Sequence, residues 1–318
     1  MLAISCLLIC NRVFCWGFYM HEQINYHAVF LLPPEMMVLF KRNIGFLTEH
    51  AVDPDKRRYV VASEGAHHFM DIDHYGAYPF AELPRNYMAA REKYSADTLQ
   101  AYGTLPWWVQ TMLGRLTRAF REKDCRLILK NAAELGHYIA DAHVPLHACS
   151  NHNGQLTGQQ GIHAFWESRI PELFAAEQWD FFIGKAAYIR DPAAFIWSRL
   201  LESAAAADTV LRVEREASLE IRPDQQFAFE NRKGLLVRQY STAYAGLYNR
   251  KLNSMVERRM RQSIFAVASF WYTAWVNAGQ PALDQLAHDS LDLAEQEEYR
   301  QLNLAWKKGK VLGRDCGE

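Results

Sequence analysis

The stretch GHYIADAHVPLHA, residues 136 to 148, holds four side chains that can bind a metal or move a proton: His137, Asp141, His143 and His147. Residues four apart lie on one face of a helix, so His137 and Asp141 point the same way. An imidazole with a carboxylate at this spacing can hold one divalent ion, and such nitrogen and oxygen ligands suit Zn²⁺. His143 faces elsewhere, so we expect it to be a supporting or solvated residue and not a ligand.

A second pair with the same spacing follows a polar, glycine-containing loop. His163 and Glu167 in the segment GIHAFWES are four residues apart and would share a helix face. His147 lies just past the predicted end of the first helix, which stops ahead of Pro145 because proline disfavours helical backbone in the residue before it. One such pair is common by chance, but two pairs joined by a loop predict a shared metal centre.

Helical spacing of apolar residues extends over most of the chain. It predicts helices in HEQINYHAVFLL, PPEMMVLFKRNIGFLTEHA, 85–102, 106–122, 123–142, IHAFWESRIPELF, 192–213, 234–253 and 255–278. The segment HHFMDIDHYGAYPFAELP is rich in turn residues and predicts irregular structure. This spacing predicts an all-α fold. Because no repeat or low-complexity linker marks a domain boundary, we expect a single multi-helix domain.

The N-terminus MLAISCLLICNRVFCWGF begins with a short apolar run, and Val13 and Cys15 are small residues at positions compatible with cleavage. This pattern is typical of an export signal, although the absence of Lys or Arg before the run leaves a buried first helix as the alternative. We predict a signal peptide over 1–15, a helical domain over 16–318, and a protein exported to the periplasm or secreted. No other apolar run is long enough to span a membrane.

The formal net charge of −1 predicts no general attraction to nucleic acid or to an acidic membrane, and so no stable nucleic-acid partner. It does not exclude an enzyme whose metal ions supply positive charge. Leader cleavage would leave Cys125, Cys149 and Cys316, which are an odd and widely spaced set without a CxxC motif. Any metal should therefore be held by nitrogen and oxygen.

HYIADAHVPLH followed by GIHAFWES resembles the signature of the superfamily shared by bacterial zinc-dependent phospholipases C and single-strand-specific zinc nucleases. The resemblance implies an all-helical fold with a three-zinc cluster between helices, three Zn²⁺ per chain. The motif positions that supply ligands in that family are here His137, Asp141, His147, His163 and Glu167.

The family's remaining ligands have counterparts upstream. Its mature chain begins with a Trp whose free amine and carbonyl chelate one zinc, followed by a His; here Trp16 and His21 match. The family's HFxD segment is matched by HHFMD, which offers His68, with His67 as the alternative. The preceding Asp is Asp55 or Asp53 in DPDKRR; the Pro before Asp55 and the Arg three residues after it favour Asp55.

The resemblance also implies how the ligands are shared. One zinc takes Asp55, His68, His137 and Asp141; a second takes His147, His163 and Glu167; the third takes Trp16 and His21, with Asp141 bridging it to the first. Asp55 and Asp141 are the implied catalytic residues, because Asp55 orients or deprotonates the attacking water and Asp141 bridges two ions.

The function implied is that of an exported zinc-dependent hydrolase that uses a zinc-activated water on a phosphodiester. HY at the start of the motif and Glu167 resemble the phospholipases C, whose substrate is a phospholipid head group. The gap from Trp16 to His21 and the segment DAHVPLH resemble the nucleases, whose substrate is single-stranded nucleic acid. We expect a phospholipase C type of enzyme; the alternatives are a nuclease on the same site and a non-catalytic helical scaffold with a structural metal.

Overall fold

A computed structural model describes residues 17–232, 234–286, 293–309 and 311–312. The predicted leader, Trp16 and Cys316 lie outside the described residues. The chain is mainly helical, which confirms the predicted fold class at that level. Its helices are α1 (Phe18–Val29), α2 (Pro34–Phe40), α3 (Ile44–Glu49), α4 (Asp53–Arg57), α5 (Tyr87–Tyr94), α6 (Ala96–Tyr102), α7 (Leu105–Glu122), α8 (Cys125–Asp141), α9 (Ile162–Ala164), α10 (Ile170–Gln178), α11 (Pro192–Glu220), α12 (Thr242–Lys251), α13 (Met255–Asn277) and α14 (Leu293–Lys308).

The core is built where α1, α7, α8 and α13 pack against one another. Helix α7 ends at Glu122, and the next residue, Lys123, has a left-handed backbone. Asp124 then caps the start of α8, because its side chain accepts a hydrogen bond from the Leu127 N–H at 2.9 Å. Trp271 of α13 is fully buried, and its indole N–H donates to the Ala132 carbonyl of α8 at 2.9 Å. A rigid, apolar frame therefore surrounds the C-terminal half of α8.

Several predicted helices are interrupted. The segment 85–102 forms α5 and α6 because Ser95 between them has a φ of 73° and caps α6 by accepting from the Thr98 N–H. The second predicted helix likewise divides into α2 and α3. The segment HHFMDIDHYGAYPFAELP begins where a 3₁₀ turn at Glu64–His67 ends and contains only one further short 3₁₀ turn, Ile72–Tyr75, as its turn residues predicted.

The prediction of a helix from residue 234 was wrong. Strands β1 (Phe227–Arg232) and β2 (Leu235–Tyr240) form an antiparallel hairpin, and only α12 follows as helix. The Asn231 side chain accepts from the Gly234 N–H at 3.0 Å, and Gly234 has a φ of +85°, which glycine adopts without strain. The apolar run LLVRQY therefore pairs with β1. Helix α14 was not predicted at all.

Irregular segments connect the parts of the fold that hold the candidate ligands. Past α8 a 3₁₀ turn, Pro145–Ala148, carries His147, and the Met70 N–H donates to the His147 carbonyl at 2.9 Å. Between α9 and α10 the chain makes a π-helical turn, Phe165–Arg169, which contains Glu167. No described helix is both long enough and apolar enough to cross a membrane.

Candidate metal centre

Eight of the nine predicted ligands converge at one buried place between α1, α4, α8 and α9; the ninth, Trp16, lies outside the described residues. Each of the eight is at most 8% exposed. Their ligand atoms form four overlapping groups, each within 4.8 Å and so within reach of one metal ion. The eight residues are His21, Asp55, His68, His137, Asp141, His147, His163 and Glu167.

The first group consists of His68, His137 and Asp141, with Asp55 beside them, and lies against the C-terminal end of α8. The Nδ1 atom of His68 is 2.9 Å from His137 Nε2 and 3.1 Å from Asp141 Oδ2. Asp55 Oδ1 lies 3.6 Å from each of the same two nitrogens. His137 and Asp141 share a helix face, as their spacing predicted, with 3.4 Å between Nε2 and Oδ2.

The second group consists of His147, His163 and Glu167, and it joins the 3₁₀ turn after α8 to the π-helical turn. The Nε2 atoms of His147 and His163 lie 3.2 Å apart. Glu167 Oε2 is 2.7 Å from His163 Nε2 and 3.4 Å from His147 Nε2. π-helical turns occur often at functional sites. Here the turn keeps His163 and Glu167 on one side of the helix.

Two carboxylates join these groups to His21. His21 Nε2 lies 3.4 Å from Asp141 Oδ1 and 3.6 Å from Glu167 Oε1, while the second oxygen of each carboxylate faces its own group. The His21 ring also stacks on the His137 ring at 3.9 Å. Asp141 is therefore placed between the first group and His21, and Glu167 has a similar position between the second group and His21, which its sequence position did not predict.

The structure distinguishes the alternatives that the sequence left open. Asp53 pairs with Lys56 at 3.1 Å and with His50 at 2.6 Å, whereas Asp55 faces the cluster. His67 stacks on Trp108 at 3.7 Å, whereas His68 faces the cluster. The position in the cluster therefore belongs to Asp55 and His68.

His143 lies outside the four groups of ligand atoms. It is 1% exposed, so it is not solvated. Its Nδ1 lies 2.7 Å from the Ile139 carbonyl, and burial lowers the pKa of its imidazole to about 3. It is a buried neutral histidine behind the cluster.

Hydrogen bonds on the outer side of three rings fix which nitrogen faces inward. The Nδ1 atoms of His137, His147 and His163 lie 2.9, 2.6 and 3.0 Å from the backbone carbonyls of Ala51, His68 and His152. A carbonyl only accepts, so each Nδ1 carries a hydrogen, and in the neutral ring each Nε2 turns its lone pair towards the cluster.

This arrangement fits a cation. The Nε2 atoms of His147 and His163 face each other across 3.2 Å, beside the Glu167 carboxylate. Burial lowers the pKa of His147 to about 4, so a proton on that ring is disfavoured at neutral pH. Buried electron pairs that converge without a hydrogen between them are costly unless a positive ion lies among them, so the donor set is compatible with bound metal.

His68 is oriented differently, because its Nδ1 faces the cluster. Its Nε2 lies 3.5 Å from Glu64 Oε1 on the far side. Glu64 accepts hydrogen bonds from Arg57 Nε at 2.9 Å and from the Tyr138 hydroxyl. Burial raises the pKa of Glu64, but its contacts with His68 and Arg57 outweigh this and hold the pKa well below its usual range. Glu64 is therefore an ionised acceptor that turns His68 Nδ1 inward.

Two further residues at the site, Glu64 and Arg58, were not predicted to have a role there. Glu64 carries a weak signal, a carboxylate four residues before His68, but the segment is a 3₁₀ turn and the helical rule does not apply. Arg58 is 4% exposed and lines the cavity over the cluster together with Gly17 and Ser168. Its Nη1 lies 3.9 Å from Asp55 Oδ1. The cavity therefore holds a guanidinium beside the metal-binding groups.

No family model matches this chain, and no curated protein matches it in sequence. The geometry of the described residues and the sequence motifs are therefore the grounds for any functional assignment.

Proposed function

We propose that the protein is an exported zinc-dependent hydrolase of phosphoric diesters, of the phospholipase C type. The observation that carries the proposal is the convergence of five histidines and three carboxylates, all buried, in the order and spacing of the three-zinc superfamily. Three divalent ions would exceed the charge of three carboxylates, so the loaded site would be positive and suited to a phosphate.

Zinc bound at such a site supplies Lewis acidity and lowers the pKa of a water molecule to near neutrality. The chain's own residues would hold the ions and would position the substrate and the attacking water. Asp55, His68, His137 and Asp141 would hold one ion, His147, His163 and Glu167 a second, and His21 with Trp16 the third, with Asp141 shared between the first and the third. Gly17, the next residue along the chain, is compatible with this use of Trp16, because an ideal Cβ at Gly17 would lie 3.3 Å from Glu167 Oε1.

Arg58 and Asp55 have separate roles in this proposal. The Arg58 guanidinium would bind a non-bridging oxygen of the substrate phosphate, since it is the cationic side chain lining the cavity. The Asp55 carboxylate would orient the attacking water and accept its proton, because it lies beside both the first group and Arg58. The buried walls would exclude competing water.

One observation favours the nuclease alternative. A second cavity shares Ala164 and Ser168 with the first and is walled by the hairpin residues Phe227, Arg238 and Tyr240. Arg238 lies over the Phe227 ring at 3.5 Å. A cation there would attract a further phosphate of a nucleic acid and would repel a quaternary ammonium head group.

The test is turnover of the zinc-loaded mature protein on phosphatidylcholine and on single-stranded DNA, measured in parallel. The proposal expects hydrolysis of phosphatidylcholine that is lost in Asp141→Asn. Cleavage of the DNA alone would establish the nuclease. Full zinc content without turnover of either substrate would establish the scaffold.

A further inference from the structure

A cavity of about 540 Å³ lies apart from the metal centre, at the start of α5 and α7. Its walls carry one arginine, no aspartate and no glutamate, and are otherwise amides, hydroxyls and aromatic rings. The lining residues include His67, Arg85, Asn86, Gln100, Trp108 and Gln110. Its volume is that of a small-molecule site.

Arg85 is a half-buried cation without an acidic partner among the described residues. Its guanidinium lies 4.3 Å from the centre of the Trp197 ring, and its Nη2 donates to the Pro79 carbonyl at 3.3 Å. Its Nη1 is buried and has no hydrogen-bond partner in the described part of the chain. Burial lowers the pKa of this guanidinium, with no carboxylate acting against the shift. Removing a cation from water without an anion is unfavourable.

A second donor in the same walls is also unused. The Trp108 ring is fixed between the His67 ring, stacked at 3.7 Å, and the Arg115 guanidinium at 4.8 Å. Its indole N–H is buried, and no described residue accepts from it. Native proteins rarely leave buried donors unpaired unless water or a ligand accepts from them.

We infer that this cavity is a binding site for a small polar anion, a phosphate monoester or carboxylate of a polyol. The guanidinium binds the oxyanion, since its planar donors match such oxygens in pairs. The side-chain amides of Asn86, Gln100 and Gln110 suit the hydroxyl groups of the ligand's organic part. The cavity exceeds the size of a bare phosphate ion, so the ligand has an organic body. This site is independent of the proposed function.

The experiment is titration calorimetry of the full, metal-loaded protein with glycerol 3-phosphate, glycerate and glycerol. The two anions are expected to bind and glycerol is not. Arg85→Gln should weaken anion binding on the order of tenfold or more, through loss of a charge-assisted pair. Arg91→Gln removes the same charge from the exposed face of α5 and should leave binding unchanged.

Two further variants separate this site from the metal centre and from a folding defect. Asp141→Asn alters the metal centre and should keep the anion affinity, whereas binding lost there and kept in Arg85→Gln would overturn the inference. Arg85→Lys retains the charge without the paired donors and should bind with intermediate affinity. The inference is equally overturned if Arg85→Gln binds as tightly as the parent protein, or if neither anion binds at millimolar concentration.

Discussion

Gly136 of α8 packs so closely against Asn25 of α1 that an ideal Cβ at Gly136 would lie 1.9 Å from Asn25 Oδ1. The Asn25 amide donates to the carbonyls of Leu47 and Ala133, both at 3.0 Å, and so cannot easily move. Asn25 lies one turn after His21, and Gly136 directly precedes His137. The missing side chain at Gly136 therefore lets the two helices approach until the His21 and His137 rings stack.

Gly136→Ala should destabilise the protein and lower its metal content, because the added methyl group must separate α1 from α8. We expect a loss of about 1–3 kcal/mol in the free energy of unfolding, the usual result of overpacking. Gly114→Ala is the matched control, since Gly114 also lies inside a helix but has no atom within 4 Å of its ideal Cβ. It should gain about 0.5–1 kcal/mol. Urea unfolding and metal analysis measure both; equal stabilities would contradict the close approach.

Asp141→Asn should cost more activity and more metal than a change at any ligand that serves one ion. Its two oxygens face different groups, so a change at this residue affects two ions, whereas His21→Ala affects one. Zinc in mature protein purified without chelator should approach three per chain, and Asp141→Asn should lose more of it than His21→Ala. If His21→Ala is equally damaging under saturating zinc, the bridging role is wrong.

Glu64→Gln should weaken metal binding about 10–100-fold, the usual effect of removing the group that orients a ligating histidine. A neutral amide attracts the hydrogen on His68 Nε2 less strongly than a carboxylate does, and it can present its own hydrogens to that nitrogen. Glu134→Gln is the matched control, because Glu134 binds the same Arg57 at 2.9 and 3.0 Å but does not contact His68. Competition with a chelator of known affinity measures both variants. Equal weakening would mean that Arg57, and not the orientation of His68, matters.

The sequence contained the local part of this site. His137 with Asp141 and His163 with Glu167 follow from helical spacing, which depends on neighbouring residues alone. The roles of Glu64 and Arg58 could not be predicted from the sequence, because they depend on how a 3₁₀ turn and the end of α4 fold against α8. The hairpin was missed for a similar reason: LLVRQY has no intrinsic strand signal strong enough to outweigh its helical spacing, and the turn at Gly234 decides the outcome.

Glu172 of α10 should make stability depend on pH. Burial raises the pKa of its carboxyl to about 7, although Arg232 and Arg169 act against this. The folded state thus holds the proton more tightly than the unfolded state, whose pKa is near 4.5. The stability that Glu172 contributes is fully present below pH 4.5 and is lost as the pH rises through 7.

Glu172→Gln should remove that fall. Relative to the parent protein, the variant should gain on the order of 1–3 kcal/mol between pH 4.5 and pH 8. Glu177→Gln, at an exposed position of the same helix, should follow the parent curve. Urea unfolding at a series of pH values measures this, and parallel curves for all three proteins would count against a protonated Glu172.

The last prediction links export to metal binding. If Trp16 chelates zinc through its own amine, that amine must be free and uncharged, which a peptide bond to Cys15 prevents. Uncleaved precursor should therefore hold two zinc ions firmly and the third weakly, and mature protein with one alanine added before Trp16 should do the same. The loss should be confined to the Trp16 and His21 site, because His137, His147, His163 and Glu167 are held by elements that the leader does not contain. The measurement is zinc stoichiometry and turnover of the mature protein, the precursor and the alanine-extended form. Equal zinc content and equal rates in all three would mean that Trp16 is not a ligand, whereas loss of one zinc from both extended forms would assign the third site to the new N-terminus.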